Sequence, residues 1–202
     1  MKRIIVAILL VLTLFSASGC DRSYASIKIY DKEIILRQYG ADIDSALFLF
    51  PDNTEAFVES SLASKLYTGL FDTDGFIILK AKYLEDDYKE EKERLSAVSC
   101  TVSGSTINAR YDTESYALPA YIASDGFDYV YEYALTDDAS LEIVYVLLSN
   151  PESIDLGEYK KYLKTDRSEY EISDALREFS IYAREDEHGN YLEYSDEHGF
   201  GG

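Results

Sequence analysis

Two histidines, His188 and His198, are the residues of this sequence best suited to metal binding. Each is the third residue of an Asp-Glu-His-Gly unit, and the two units lie ten residues apart. Carboxylates and imidazole together can bind a transition metal, so two units could supply two half-sites. The surrounding segment is acidic and aperiodic, which fits a polar tail equally well. His188 and His198 are therefore the candidate metal ligands, while the sequence as a whole indicates no cofactor.

Nucleophilic catalysis usually requires a base beside the nucleophile, most often a histidine. Both histidines lie close to the C-terminus, and no serine-hydrolase or phosphate-loop motif occurs. Paired carboxylates can hydrolyse glycosides without histidine, but spacing singles out no pair among the 38 acidic residues. The sequence thus favours a non-catalytic binding module. A small carboxylate-based or metal-dependent hydrolase at the cell surface is the alternative.

Tyrosine is the compositional anomaly, with 19 tyrosines and no tryptophan. Tyr129, Tyr131 and Tyr133 share one face of a predicted strand, and Tyr145 lies on the strand expected to pair with it. Such rings offer flat apolar area with a polar tip, which suits recognition of a protein or a glycan. The same alternation also fits rings packed in the core beneath a helix. These four tyrosines are the candidate recognition surface.

The first twenty residues have the pattern of an export signal. Lys2 and Arg3 precede the apolar run 4–15, which is shorter than the roughly 20 residues that span a bilayer. Small residues at 16–19 then lead directly into Cys20. Here the chain resembles bacterial lipoprotein precursors. The resemblance implies removal of residues 1–19, lipid on Cys20, and a domain held to the outer face of a bacterial membrane.

Ordinary secretory cleavage after the same small residues is the alternative to lipidation. The cysteine count bears on the choice, because Cys20 and Cys100 are the two cysteines of the chain. If Cys20 carries lipid, Cys100 has no intramolecular partner. Cys100 lies in an alternating, strand-like segment, where a small buried hydrophobe is the expected role.

The charge of the chain excludes two classes of partner. Its net charge is −19, and removal of Lys2 and Arg3 with the leader makes the mature chain more acidic still. Nucleic acid is excluded because phosphate contacts require Lys and Arg. Electrostatic attraction to anionic lipid is excluded for the same reason.

Beyond the tether at 20–25, the pattern predicts a single α+β domain over 26–183, with a hairpin-rich antiparallel sheet and a few short helices. Hairpins are expected at 27–36, 66–83, 98–111 and 129–148. Helices are expected at 42–50, 156–163 and, most clearly, 168–179. The highly charged segment 85–94 is expected to be a solvated helix, with an exposed excursion as the alternative. Residues 184–202 are expected to be an acidic, mobile tail, with a terminal hairpin of 179–183 and 191–194 as the alternative.

We expect the exchange Cys20→Ser to prevent acylation and the cleavage coupled to it, because the sulfur is the acceptor of the lipid. Metabolic labelling with an alkyne fatty acid, followed by membrane fractionation, checks this. A mutant that is processed and fractionates like the wild type would instead indicate ordinary secretion.

Overall fold

A computed structural model describes residues 23–43, 45–68, 73–102, 105–126, 129–151, 154–165, 179–181, 183–185 and 191–193. Cys20, His188, His198 and most of the predicted 168–179 helix lie outside these ranges. In the part of the chain that is described, no helix has both the length and the apolar character needed to cross a membrane.

The fold is built on a seven-stranded antiparallel sheet with the strand order β1-β2-β3-β9-β8-β7-β6, and two separate hairpins, β4–β5 and β10–β11, accompany it. The strands are β1 Ser23–Ala25, β2 Phe57–Thr68, β3 Thr73–Tyr83, β4 Ser99–Val102, β5 Ser105–Asn108, β6 Arg110–Asp112, β7 Ala120–Asp125, β8 Val130–Asp137, β9 Glu142–Ser149, β10 Ala183–Glu185 and β11 Tyr191–Glu193. The helices are α1 Lys32–Ile43, α2 Glu85–Ala97 and a 3₁₀ helix, Gly157–Tyr162.

The path of the chain brings distant segments together at the centre of the sheet. After β3 the chain passes through α2 and the β4–β5 hairpin to the far edge, β6. It then returns as a meander until β9 pairs with β3. The central strands β8 and β9 are buried on both faces, because covering segments pack on each side of the sheet.

Each face of the sheet has its own hydrophobic core. On the first face, Ile77, Leu79 and Tyr145 pack with residues of α1, α2 and the segment 45–50. On the second face, Tyr131 and Tyr133 pack with residues that follow β6 and with the region of the 3₁₀ helix. Alternation along each strand assigns successive side chains to the two cores.

A buried carboxylate on the first face holds the segment that follows α1. Glu132 of β8 is fully buried, and its carboxylate accepts hydrogen bonds from the Leu49 amide at 2.6 Å and the Ser45 hydroxyl at 3.1 Å. Leu47 between them has a φ of 52°, a left-handed conformation that is costly for leucine. Glu132 therefore compensates an otherwise unfavourable loop.

The structure corrects two predictions at the N-terminal side. Residues 32–43 form α1 instead of the second strand of a hairpin, because the Asp31 carboxylate accepts the Ile34 amide at 2.8 Å in the manner of a helix cap. Ile35 and Tyr39 then lie one turn apart and pack toward the first core. The predicted helix at 42–50 is also wrong, since the described residues 45–50 are irregular and bonded to Glu132.

β2 and β3 form the hairpin expected over 66–83, and Thr73, Asp74 and Gly75 lie within β3 rather than in the turn. Thr73 pairs with Thr68, so that Gly75 pairs with Leu66 inside the ladder. A β-carbon at Gly75 would lie 2.4 Å from the Lys65 carbonyl oxygen, so this strand position requires glycine. At Gly75 the sequence therefore reports close strand approach and not a turn.

The remaining elements agree with the sequence where the structure describes them. The α+β class, α2 and the hairpins β4–β5 and β8–β9 are confirmed. The helix expected at 156–163 is a 3₁₀ helix. β10 pairs with β11, so a terminal hairpin forms, but its first strand runs from Ala183 to Glu185 rather than over 179–183. Cys100 is free and buried, as predicted, and burial raises the pKa of its thiol.

Replacement of Glu132 tests its role in the fold. Glu132→Ala leaves the Leu49 amide and the Ser45 hydroxyl without their buried acceptor, and we expect a loss of about 3 kcal/mol in the free energy of unfolding. Glu132→Gln keeps one acceptor oxygen and should cost less. Urea unfolding measures both, and values for Glu132→Ala within experimental error of the wild type would show that the loop is held by other contacts.

Candidate functional site

A cleft of about 300 Å³ opens between the segment after Phe50 and helix α2. We call it the acidic cleft. Its principal lining residues are Asp52, Phe57, Tyr83, Asp87, Glu90 and Arg94. Glu91 also lines it, so that four carboxylates and one guanidinium surround the space.

Helix α2 supplies the charged wall through its period. Three charged residues follow Asp87 at intervals of three, four and seven residues, namely Glu90, Glu91 and Arg94. This spacing places the four side chains on one helix face. Tyr88 and Leu95 of the same helix are buried and fix it against the sheet. Because α2 begins two residues after Tyr83, the end of β3 and the helix form two sides of one corner.

This wall is anchored by a continuous hydrogen-bond network of four side chains, which we call the polar clamp. Its members are Tyr83, Tyr145, Glu91 and Arg94. Arg94 donates from Nη2 to Glu91 Oε1 at 2.6 Å and from Nε to Glu91 Oε2 at 2.7 Å. The Tyr145 hydroxyl also donates to Glu91 Oε1, at 2.6 Å. The hydroxyls of Tyr83 and Tyr145 lie 2.6 Å apart. Since Tyr145 donates to Glu91, Tyr83 must donate to Tyr145.

The ionisation states in the polar clamp follow from burial and charge. Burial raises the pKa of both tyrosines, so their hydroxyls stay protonated and act as donors rather than bases. Burial opposes the charge of Arg94, but its hydrogen bonds to Glu91 raise its pKa overall. The polar clamp therefore holds a fixed ion pair between Glu91 and Arg94, and its role is to position helix α2.

Arg94 also joins α2 to the loop that Glu132 holds. Its Nη2 donates to the Leu49 carbonyl at 2.5 Å, and Nη1 lies 3.4 Å from the Phe48 carbonyl. The two walls of the acidic cleft are thus connected beneath its floor. A displacement of either wall would break charge-assisted hydrogen bonds.

Residues just before α1 and at its start hold the opposite wall of the acidic cleft in place. Lys32 donates to the Phe50 carbonyl and to Asp52 Oδ1, each at 2.9 Å. This hydrogen bond lowers the pKa of Asp52. Tyr30 donates to the Pro51 carbonyl, and burial raises the pKa of its hydroxyl. Asp52 is therefore a charge already matched by Lys32.

Two aromatic rings line the apolar part of the acidic cleft, together with Pro51 and Ala56. Phe57 and Tyr83 pair across β2 and β3, and their rings meet edge to face with centroids 5.3 Å apart. Val58 and Leu84, the next residue after each ring, are 58% and 63% exposed. Apolar surface therefore continues outside the cleft.

Asp87 and Glu90 are the carboxylates available to a ligand. Among the described residues neither has an ion-pair partner, whereas Glu85 pairs with Lys89 and Glu91 with Arg94. An ammonium or guanidinium group between them would gain both charge attraction and contact with the half-buried ring of Phe57, behind which Tyr83 is buried. The arrangement is suited to holding a cationic group.

The structure corrects the prediction of a tyrosine recognition surface. Tyr131 and Tyr133 are buried in the second core, and Tyr145 is buried in the first. Tyr129 is 39% exposed with a φ of 60° and precedes β8. The alternative of core packing describes three of the four rings, because β8 and β9 are both covered on both faces. Tyr145 alone of the four belongs to the surroundings of the acidic cleft.

The metal hypothesis finds no site in the described part of the chain, where no group of three or more His, Cys, Asp or Glu residues is placed to hold an ion. His188 and His198 lie outside that part. The acidic cleft itself was not identified from sequence, since nine of the ten residues at 85–94 are charged and no helix face stands out.

Comparison with known proteins gives no family assignment. No protein-family model, no curated protein and no solved structure matches the chain. The function must therefore be inferred from the site itself.

We expect Tyr145→Phe to lower the free energy of unfolding by about 1–2 kcal/mol, because Tyr83 and Glu91 each lose a buried hydrogen-bond partner. Thermal or urea unfolding measures this. Tyr133→Phe is the matched control: it removes the donor to the Tyr162 carbonyl on the other face of the sheet. Only Tyr145→Phe should also raise the mobility of α2, which faster amide hydrogen exchange at 87–94 would report. Equal exchange in both variants would show that the polar clamp does not hold α2 in place.

Proposed function

We propose that this protein is a bacterial surface lipoprotein whose domain binds cationic groups, without catalysis, in the acidic cleft. The observation that carries the proposal is the pair of unmatched carboxylates, Asp87 and Glu90, beside the rings of Phe57 and Tyr83. This combination attracts an amine or guanidinium and provides apolar area for the carbon chain that bears it.

The size of the acidic cleft limits the ligand. Its volume of about 300 Å³ is at the lower end of the range for ligand pockets, about 300–1,000 Å³. A single charged head group or side chain fits this space better than an oligosaccharide does. A protein partner that presents a basic residue fits the site better than the glycan considered from the sequence.

The rigidity of the site supports binding over catalysis. Glu91 is held by two donors, and the tyrosine hydroxyls remain protonated because burial raises their pKa. A general acid or base works best with a pKa near the operating pH, which these hydroxyls lack.

The lipid anchor supports the same role from the sequence side. The small residues before Cys20 resemble a lipoprotein processing site, and two acyl chains are sufficient for stable anchoring. A net charge of −19 would keep the domain away from anionic head groups. In this proposal, the acidic cleft faces partners outside the membrane.

Calorimetric titration with N-acetyl-arginine amide tests the binding function. We expect saturable binding that weakens with salt and is lost with the neutral isostere, N-acetyl-citrulline amide. The double exchange Asp87→Asn/Glu90→Gln should weaken binding about tenfold, since each partly exposed ion pair contributes up to about 1 kcal/mol.

The matched control is Asp86→Asn/Glu93→Gln, which removes the same two charges from exposed positions of α2 outside the cleft. It should retain most of the affinity. Equal loss in the two double variants would show that the probe responds to the general charge of the protein, and the proposal would fail.

A further inference from the structure

The outer edge of β2 is open beside the acidic cleft. β1 pairs only with the far end of β2, at Leu66 to Thr68, and residues 26 and 27 bond to Ser64. From Val58 to Ala63, the outer side of β2 has no hydrogen-bond partner among the described residues. An unpaired edge of this kind can accept another strand.

The side chains of this stretch are also accessible from both faces of the sheet. The four residues 58–61 are all exposed, although alternate ones point to opposite faces. Natural edge strands are commonly protected by charged residues, proline or bulges; the segment 57–64 contains no lysine or proline, and Glu59 is its one charged residue. A register shift at Phe57 and Glu59 is the one irregularity.

Charge decides which kind of strand would bind there. A second copy of this chain would bring together two surfaces of a protein with a net charge of −19, and like charges oppose such pairing. A basic segment would instead be attracted to the acidic cleft. Phe57, the first residue of β2, lines that cleft.

We propose that the partner is an extended polypeptide segment that adds as a strand to the edge of β2 and places an arginine or lysine side chain in the acidic cleft. This inference rests on the proposed cation-binding function. A residue directly opposite Phe57 on the added strand would have its β-carbon about 5 Å away on the same face. Its side chain would then extend along the ring toward Asp87 and Glu90.

The experiment uses the peptide Ac-Arg-Thr-Val-Thr-Val-Thr-Arg-NH₂, whose two arginines share a face and allow either strand direction. The comparison ligands are N-acetyl-arginine amide and the same peptide N-methylated at alternate residues, which removes backbone donors but keeps the charge. Affinity is measured by calorimetry with the mature wild-type domain. Amide hydrogen exchange at residues 58–63 reports strand addition directly.

We expect the peptide to bind at least tenfold more tightly than N-acetyl-arginine amide, N-methylation to remove about that tenfold, and the outward amides of 58–63 to exchange more slowly in the complex. If N-methylation changes neither affinity nor exchange while N-acetyl-arginine amide still binds, strand addition is wrong and the cation site stands. If neither ligand binds, the proposed function itself fails. Protection of 58–63 without peptide, rising with protein concentration, would identify a second copy of the chain as the occupant and overturn the inference.

Discussion

The Glu91 carboxylate is the point on which the candidate site depends. It receives both Arg94 and the buried Tyr145 hydroxyl, so that one acidic group joins helix α2 to the central strand β9. Arg94 extends the connection to the Leu49 carbonyl, and the Leu49 amide is held from the sheet by Glu132. Removing one partner from such a buried network leaves the other charge unpaired and costs more stability than the pair itself contributes. The two walls of the acidic cleft are therefore held in one specific arrangement.

This framework explains why charge can remain unmatched at the surface. Asp87 and Glu90 lie on the face of α2 that the polar clamp orients, yet neither is used by the clamp. Their mutual repulsion is weakened by solvent, so the fold tolerates it at small cost. A cationic ligand would meet carboxylates and aromatic edges that are already in place, and little ordering would be needed on binding. The edge of β2 at 58–63, which no described residue pairs with, adds backbone donors and acceptors beside the same cleft.

Sequence patterns predicted the hairpin-rich sheet well, because alternation and short turns are local signals. The β8–β9 hairpin followed directly from them, and the near-helical spacing of Leu84, Tyr88 and Leu95 indicated α2. One of the two N-terminal predictions failed because a long-range contact decides local structure: the segment 45–50 is irregular because Glu132, far along the chain, bonds to it. The other failed because a local helix cap at Asp31 was not recognised. The tyrosines on β8 were ambiguous because the same alternation describes an exposed ladder and a strand covered on both faces. The acidic cleft could not be predicted from the sequence, because composition does not show which carboxylates are hydrogen-bonded within the polar clamp and which remain available.

The central claim is that cationic groups bind in the acidic cleft. Titration of isotope-labelled protein, residues 20–202, with N-acetyl-arginine amide and detection by NMR is the decisive measurement. We expect the largest chemical-shift changes at Phe57, Tyr83, Asp87 and Glu90, with one dissociation constant describing all of them. Changes spread evenly over the acidic surface, or concentrated on the opposite face of the sheet, would contradict the claim.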